Sequence, residues 1–254
     1  MNTPAEILQI WIGNGVKKAN LSVLKMIILG MAAGAYIGFG AHAFILATAA
    51  TDPALSATAA KLIGAAVFPV GLMMVVICGA ELFTGNNLLT LALFDGRITP
   101  AQLLRNWVTV YLSNLAGSVL LALLLAGSGL YSGAAGERAI AVAVSKVGAP
   151  FFEMVIRGIL CNILVVLALW FQAGAKDLIG KIWAIWFPIM LFVFAGFEHS
   201  VANMTYIPLG MSLGADVSVG QFLLGNLVPV TIGNLIGGAV IVPVMYYTAY
   251  RPEH

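Results

Sequence analysis

The sequence predicts an all-α membrane protein that crosses the bilayer six times, and three observations lead to this fold class. Hydrophobic residues make up 61% of the 254 residues and charged residues only 9%, and the mean hydropathy is +1.01. Apolar runs long enough to cross a hydrocarbon core of about 30 Å recur along the whole chain. Two of these runs are too long for one helix and carry polar residues at their middle. We therefore expect one transmembrane domain covering residues 1–254.

The order of apolar and polar stretches gives the elements of this domain. Residues 1–20 contain apolar positions such as Ile7, Leu8 and Trp11 between polar ones, a pattern that indicates a short helix on the membrane surface. The stretch between the third and fourth spans carries Glu137, Arg138 and Lys146 and is predicted to be a loop. The six predicted spans are 21–50, 59–94, 102–127, 151–171, 183–213 and 221–250.

The second and fifth spans are predicted to be broken helices. At 1.5 Å per residue, one helix over 59–94 would reach roughly 54 Å, far more than the bilayer core needs. The polar cluster from Gly79 to Asn87 is the expected break, and Glu198 with His199 marks the corresponding place in the fifth span. An ionisable side chain in hydrocarbon costs at least about 2.5 kcal/mol, so such residues usually face a cavity. Irregular backbone at membrane depth is likewise tolerated only where it is buried or lines a cavity.

The two broken spans share a sequence pattern that predicts an internal repeat. Each has Gly-x-Glu followed after four further residues by Asn, and each is followed by a span with two asparagines at the same spacing. The matching residues are Gly79, Glu81, Asn86, Asn106 and Asn114 in the first half and Gly196, Glu198, Asn203, Asn226 and Asn234 in the second. With three spans per half, the halves 21–127 and 151–250 are expected to have opposite orientations, an inverted 3+3 repeat whose two breaks meet at one pathway. Thr84 and His199 are expected to approach each other there.

The charges of the chain set its predicted orientation and exclude several classes of function. Lysines and arginines favour the side of the termini by eight to three, which places both termini in the cytoplasm. A net charge of +2 gives no reason to expect nucleic acid as a partner. Cys78 and Cys161 lie in apolar runs, where we interpret them as small hydrophobic residues. The chain has only three histidines and neither a His-Glu-x-x-His nor a Gly-x-Ser-x-Gly motif, so we expect no metal, no cofactor and no enzymatic activity.

The polar segments together resemble the formate/nitrite transporter family over nearly the whole chain. The segments that carry the resemblance are Glu81 to Asn86, Arg157 to Asn162, Gly196 to Met204 and Asn226 to Asn234. The resemblance implies an aquaporin-like fold without homology to aquaporins and a homopentamer with one pore per protomer. It also implies the cytoplasmic membrane of a bacterium or archaeon, and passage of small monovalent anions such as formate, nitrite or hydrosulfide.

The resemblance also implies roles for individual residues. His199, Thr84 and Asn162 match polar positions of the central pore, and Lys146 matches a position of the outer vestibule that attracts anions. The apolar constrictions above and below the histidine correspond to Phe68, Leu72, Leu82 and Phe192. We expect Glu81, Glu198, Asn86 and Asn203 to be structural, because a fixed negative charge in the pore would repel an anion. Asn114 and Asn234 are expected to satisfy backbone groups freed at the breaks.

Two questions remain open at the level of sequence. His199 either protonates the anion, so that a neutral acid crosses the apolar rings, or serves only as a hydrogen-bond donor while protons arrive through water. The second question is the substrate, for which our first hypothesis is formate, the second nitrite and the third hydrosulfide. A pore for a neutral solute such as water or ammonia is the competing function, because apolar constrictions around a histidine also suit uncharged molecules.

Overall fold

The computed structural model describes residues 1–49 and 56–251, and within these ranges the chain forms helices and connecting turns without strands. Six helical segments are long and apolar enough to cross a membrane, which agrees with the predicted fold class. The elements before the first break are α1 (Pro4–Ala19), α2 (Val23–Ala49), α3 (Ala57–Val67) and α4 (Val70–Cys78). Those that follow are α5 (Leu89–Phe94), α6 (Pro100–Gly127), α7 (Ala134–Val147), α8 (Phe151–Gly174), α9 (Leu178–Ala195), α10 (Ser200–Ser212), α11 (Val228–Leu235) and α12 (Val242–Tyr250).

Both predicted helix breaks are present, and each begins at a glycine in the left-handed conformation. Helix α4 ends at Gly79 with φ of 81°, and α9 ends at Gly196 with φ of 83°. This backbone conformation is costly for residues with a side chain, so glycine sets the position of each break. Beyond the first break the chain makes a 3-10 turn, Gly85–Leu88, before α5. Beyond the second, α10 begins directly after His199.

The last transmembrane segment runs from Gln221 to Tyr250, with the bounds that the sequence predicts. Two π-helical stretches, Gln221–Leu227 and Ile236–Ile241, alternate in it with α11 and α12. Such wide turns disturb the regular backbone ladder and often occur at functional sites. The first span reaches Ala49, and its predicted end at residue 50 lies outside the described residues.

Helix α1 covers most of the stretch 1–20 that the sequence predicts to be a short helix. Its apolar residues face protein, because Leu8 and Ile12 are fully buried and belong to the main hydrophobic core. The helix starts with a capping box, in which the Thr3 hydroxyl accepts from the Glu6 N–H and the Glu6 carboxylate accepts from the Thr3 N–H. Amphipathic spacing alone does not distinguish a face covered by lipid from a face covered by α5. The position of α1 at the membrane surface stays a prediction.

The stretch between the third and fourth spans is also different from its prediction, since α7 occupies most of the predicted loop. Its small residues Ala139 and Ala143 are fully buried and approach Gly210 of α10. Arg138 and Lys146 therefore project from a packed helix rather than from a loop. The charged residues of this stretch predict a loop, and that prediction did not take into account the helical spacing of the alanines between them.

The long helices of each half pack at glycines where no other residue fits. A Cβ added to Gly34 or Gly117 would collide with backbone atoms across the contact between α2 and α6. The same holds for Gly233 and Gly237, where α11 and the following π-helical stretch contact α8. Close backbone approach at small residues is the usual way in which membrane helices associate. The two contacts have matching positions in the two predicted halves; the opposite orientation of the halves stays a prediction.

Candidate functional site

Each helix break lines a cavity formed by described residues. The cavity beside α1, here called the α1-side cavity, has a volume of about 320 Å³ and is lined in part by Trp11, Lys18 and Glu81. The cavity beside α7, here called the α7-side cavity, has a volume of about 300 Å³ and is lined in part by Lys146 and Glu198. Both therefore have a lysine and a glutamate in a wall of mixed polar and apolar residues.

A third and much smaller space, the central chamber, lies between them. Its volume is about 10 Å³, and its wall is formed by Ile37, Phe68, Leu72, Leu82, Val165, Ile189, Phe192 and His199. Leu72 and Leu82 also line the α1-side cavity, whereas Phe68, Phe192 and His199 also line the α7-side cavity. The two cavities thus approach one another only across these side chains. The chamber has room for about one water molecule.

The predicted constriction residues are buried and touch one another. Phe68, Leu72 and Leu82 are each 2% exposed and Phe192 is 3% exposed. The rings of Phe68 and Phe192 meet edge to face with centroids 5.6 Å apart. Phe192 also stacks on the imidazole of His199 at 5.9 Å. In this conformation the chamber is closed on both sides by apolar side chains, so an anion of several atoms needs them to move.

His199 is held by both of its ring nitrogens. Its Nδ1 accepts from the backbone N–H of Ala202 at 3.0 Å and so caps the first turn of α10. Its Nε2 lies 2.9 Å from Oγ1 of Thr84. Because Nδ1 is an acceptor, the proton of a neutral imidazole must be on Nε2, which donates to the Thr84 hydroxyl oxygen. The second break thereby presents a defined donor to the chamber.

Thr84 and Asn162 lie behind the chamber wall rather than in it. Both side chains are fully buried, and neither residue lines the two cavities or the chamber. Asn162 donates from Nδ2 to the backbone oxygen of Asn234 at 2.7 Å and to Oδ1 of Asn87 at 2.8 Å, and its contact to the Thr84 oxygen is longer, at 3.4 Å. Its amide joins the first break to the last transmembrane segment. Thr84 reaches the pathway through His199.

The first break is stabilised by a partly buried ion pair within a chain of amides. Lys18 of α1 lies 2.7 Å from the Glu81 carboxylate and 3.0 Å from Oδ1 of Asn86. Asn86 in turn donates to the other oxygen of Glu81 at 2.7 Å and to Oδ1 of Asn106 at 2.9 Å. The Asn106 amide donates to the backbone oxygen of Lys18, which closes the ring of contacts.

The second break has the same network with different residues. Lys146 of α7 lies 2.9 and 3.0 Å from the two oxygens of Glu198. Asn203 donates to Glu198 at 2.7 Å and to Asn226 at 2.9 Å, and the Asn226 amide donates to the backbone oxygen of Lys146. The matching contacts of the two lysines extend the shared pattern to α1 and α7, which lie outside the halves predicted from sequence. Sequence analysis missed Lys18 for this reason.

Two further asparagines satisfy the backbone at the breaks. Asn114 accepts from the backbone N–H of Phe83 at 2.9 Å and donates to the backbone oxygen of Glu81 at 2.9 Å. Asn234 accepts from the backbone N–H of Ser200 at 2.9 Å and donates to the backbone oxygen of Glu198 at 3.0 Å. Each amide thus replaces helix hydrogen bonds that the break removes, as expected for irregular backbone in a membrane.

The charge of the two cavities differs once these pairs are taken into account. Lys18 and Lys146 are each neutralised by a glutamate, and Arg157 pairs with Glu153 at 2.8 Å. Lys61 and Arg138 also line the α7-side cavity, and Lys181 lines the α1-side cavity. None of these three has an ion pair with residues 1–49 or 56–251. Excess positive charge therefore comes from side chains other than the predicted Lys146.

The described residues contain no group of three or more histidine, cysteine, aspartate or glutamate side chains placed to hold a metal ion. What the site offers is a polar donor between apolar rings, reached from cavities with excess positive charge. This arrangement can take a small anion out of water and offer it a hydrogen bond. The sequence-predicted residues His199, Thr84 and the four constriction side chains are brought together, and Ile37, Val165 and Ile189 complete the chamber.

Comparison with known sequences gives one consistent result. A family model described as formate/nitrite transporter matches residues 5–248. A probable formate transporter of Methanothermobacter thermautotrophicus is 43% identical, with 90% of each chain covered. The formate channel FocA of Escherichia coli K12 is 37% identical, with 99% of this chain and 95% of FocA covered.

Solved structures with the same fold are also found. A protein described as an FNT family ion channel superposes with a TM-score of 0.89 at 32% identity, covering 96% of this chain and 98% of the other. A pentameric formate channel with formate bound superposes with a TM-score of 0.81 at 31% identity, covering 91% and 98%. The similarity thus spans the whole arrangement of broken helices and not one motif.

Proposed function

Since the chain belongs to the formate/nitrite transporter family, we propose that it is a channel that passes formate along the pathway through the central chamber. The observation that carries this proposal is the placement of His199, hydrogen-bonded to Thr84, between two apolar closures that separate two cavities. The relatives named as formate channels and the formate-bound neighbour support formate ahead of nitrite and hydrosulfide. The family consists of transporters, so the chain is a membrane transport protein and not an enzyme.

The apolar closures set the selectivity in this proposal. Moving an anion past Phe68 and Phe192, or past Leu72 and Leu82, removes most of its water, and this costs more for a strongly hydrated ion. A larger ion is disfavoured for a second reason, because the side chains must move further apart to let it pass. Cations at the cavity walls raise the local anion concentration before dehydration. We propose that Lys146, despite its pairing with Glu198, shares this role with Lys61 and Arg138. The glutamates and asparagines of both networks hold the broken backbone in place.

The geometry of His199 favours a donor role over direct proton transfer. Its Nδ1 is occupied by the Ala202 N–H, so a second proton on the ring would require that the cap of α10 break. A neutral ring that gave up its Nε2 proton would become an imidazolate, which is far too basic to form here. We therefore propose that an anion in the chamber accepts the Nε2–H hydrogen bond of His199 in place of the Thr84 hydroxyl, while Thr84 and Asn162 hold the ring and the loop from behind the chamber wall. Any proton that accompanies the anion then comes from water.

The remaining features of the proposal concern the environment of the channel. We propose a homopentamer with one pathway per protomer, supported by the neighbour described as pentameric. The excess of lysine and arginine near the termini supports a cytoplasmic location for both ends and hence for the α1-side cavity. We further propose that the bilayer is the cytoplasmic membrane of a bacterium or archaeon, and that the two halves form an inverted repeat.

The test is flux through the purified protein in liposomes. Formate, nitrite, hydrosulfide, chloride and water are compared from pH 5 to 8 for the wild type, His199→Ala and His42→Ala. His42 is a matched control because it lines neither cavity nor the chamber. We expect saturable formate flux, exclusion of chloride, and a loss of formate flux in His199→Ala that His42→Ala does not share.

Two results would contradict the proposal in different ways. Liposomes that pass water but neither current nor pH change with any of the three weak-acid anions would show a neutral-solute pore. Full formate flux in His199→Ala would keep the channel but remove the histidine from its mechanism.

A further inference from the structure

Arg138 and Lys61 are the cations of the α7-side cavity that have no ion pair with the described residues, and of the two only Arg138 carries a planar group with parallel N–H donors. Its Nε donates to Oγ1 of Thr48 at 2.9 Å, and the Thr48 hydroxyl itself donates to the backbone oxygen of Phe44 at 2.8 Å. The guanidinium carbon lies 5.9 Å from the centroid of the Phe44 ring. One edge of the guanidinium is thus tied to α2 and its plane is held against an aromatic ring, which fixes its orientation.

The other edge of Arg138 is available to a ligand. Among residues 1–49 and 56–251, no carboxylate or other acceptor contacts its two Nη groups. Arg138 lines the same cavity as Phe68, Phe192 and His199, the side chains through which this cavity adjoins the central chamber. Tyr206 lines this cavity too, and its hydroxyl forms no hydrogen bond with the described residues. Its ring lies beneath Lys146 Nζ, 5.6 Å from the centroid.

We propose that Arg138 and the Tyr206 hydroxyl form an anion-binding site in the α7-side cavity that selects planar anions with two oxygens before they reach the central chamber. A guanidinium presents parallel N–H groups that match the two oxygens of a carboxylate or of nitrite. An anion with a single acceptor atom, such as hydrosulfide, gains only the charge. The site rests on the proposed function for its substrate and adds the residues that recognise it.

The repeat shows that this site belongs to one face of the molecule. The residue of α1 that corresponds to Arg138 of α7, by the alignment that pairs Lys18 with Lys146, is Ile10. Its side chain is apolar and 36% exposed. The α1-side cavity therefore has no guanidinium at the corresponding position. In our proposal, planar anions with two oxygens are selected on the α7 side only.

The experiment separates the effect of the guanidinium geometry of Arg138 from the effect of its positive charge. The half-saturating formate concentration of flux is measured for the wild type, Arg138→Gln, Arg138→Lys and Arg157→Gln. Arg157 is the matched control, because it lines the same cavity but its guanidinium is bound to Glu153 at 2.8 Å. We expect about a tenfold increase for both Arg138 variants, the size expected for a lost charge-assisted hydrogen bond. Arg157→Gln should stay within about twofold of the wild type.

A binding measurement keeps this inference separate from the channel function. At the same formate concentration, formate should raise the thermal unfolding temperature of the purified wild type and of Arg157→Gln equally, and that of Arg138→Lys by much less. If formate stabilises the protein but does not cross it, the proposed function fails and the site stands. If Arg138→Lys keeps the wild-type half-saturation and the wild-type response to formate, the inference is wrong. Should Arg138→Gln not fold, Arg138→Lys carries the test, because it keeps the charge.

Discussion

The imidazole Nε2 of His199 lies 2.9 Å from Oγ1 of Thr84, although 115 residues separate the two along the chain. Each residue belongs to one of the two helix breaks, so this hydrogen bond joins the breaks at the wall of the chamber. Neither break alone would place a donor there. The bond depends on the first break through the Asn114 contacts and on the second through the cap of α10.

Thr84→Val keeps the volume of the side chain but removes the hydroxyl. We expect formate flux to fall about tenfold and the protein to lose about 1–3 kcal/mol of stability, since the buried Nε2–H of His199 loses its acceptor. Thr84→Ser should retain most of the flux. Liposome flux and thermal unfolding of both variants measure these effects. Thr90→Val is the control, because the Thr90 hydroxyl is buried and bonds only to the backbone oxygen of Asn87; equal loss of flux in Thr90→Val would contradict the prediction.

Leu82→Ala should open the closure between the α1-side cavity and the chamber. We expect the wild type to exclude chloride and Leu82→Ala to pass it measurably, because a wider opening lets an ion keep part of its water. Leu88→Ala is the matched control, since Leu88 is 1% exposed and lines neither cavity nor the chamber. Both variants should be destabilised by about 2–5 kcal/mol. Only Leu82→Ala should change the ratio of formate to chloride flux, and unchanged selectivity would place the closure elsewhere.

Glu198→Gln removes the partner of Lys146 at the second break. The two side chains are 8% and 17% exposed, so an unpaired lysine there is costly, and we expect a loss of about 3–5 kcal/mol. Glu153→Gln removes a comparable partner from Arg157, where both side chains are well exposed, and should cost no more than about 1 kcal/mol. Thermal unfolding of the purified variants compares the two. Similar losses would mean that the Glu198 pair is as well hydrated as a surface pair.

Gly117→Ala tests the close packing of α2 and α6. The added methyl would meet the backbone of Met31, which cannot rotate away, so overpacking should cost about 1–3 kcal/mol. Gly127→Ala, at the end of the same helix, meets nothing within 4 Å and should be neutral or gain up to about 1 kcal/mol. The difference in unfolding temperature between the two alanine variants is the measurement. A stable Gly117→Ala protein would show that the helices move apart at little cost.

The sequence predicted the breaks well because their causes are local. Too many apolar residues for one span, a glycine where the helix ends and a charged residue at membrane depth all appear within one window of the chain. The closeness of Thr84 and His199 followed from the repeat, since corresponding breaks in two halves meet at one place. These arguments need no knowledge of packing.

Other parts of the site depended on packing and were missed. Nothing local distinguishes Ile37 or Val165 from other apolar residues, or shows that α1 faces protein. A signal did exist, because the alignment that pairs Gly30 with Gly158 also pairs Ile37 with Val165 and Lys18 with Lys146. The Gly79 and Gly196 alignment likewise pairs Leu82 with His199, so the second half has the histidine where the first half has an apolar chamber residue. Extending the repeat beyond its asparagines would have found these residues.

The burial of α10 has a consequence for how the chain is made. With 13 residues α10 is too short to span a bilayer, and it is enclosed by α2 and α6, which are synthesised earlier, and by α7. Its polar residues Asn203 and Thr205 are fully buried, so lipid offers it no stable resting place. Insertion machinery that releases helices one at a time must therefore either keep α10 away from lipid or release it directly into the space between α2, α6 and α7. If translation stalls after α9, the space between α2, α6 and α7 stays unfilled. We expect quality-control proteases to recognise such an incompletely packed nascent protein.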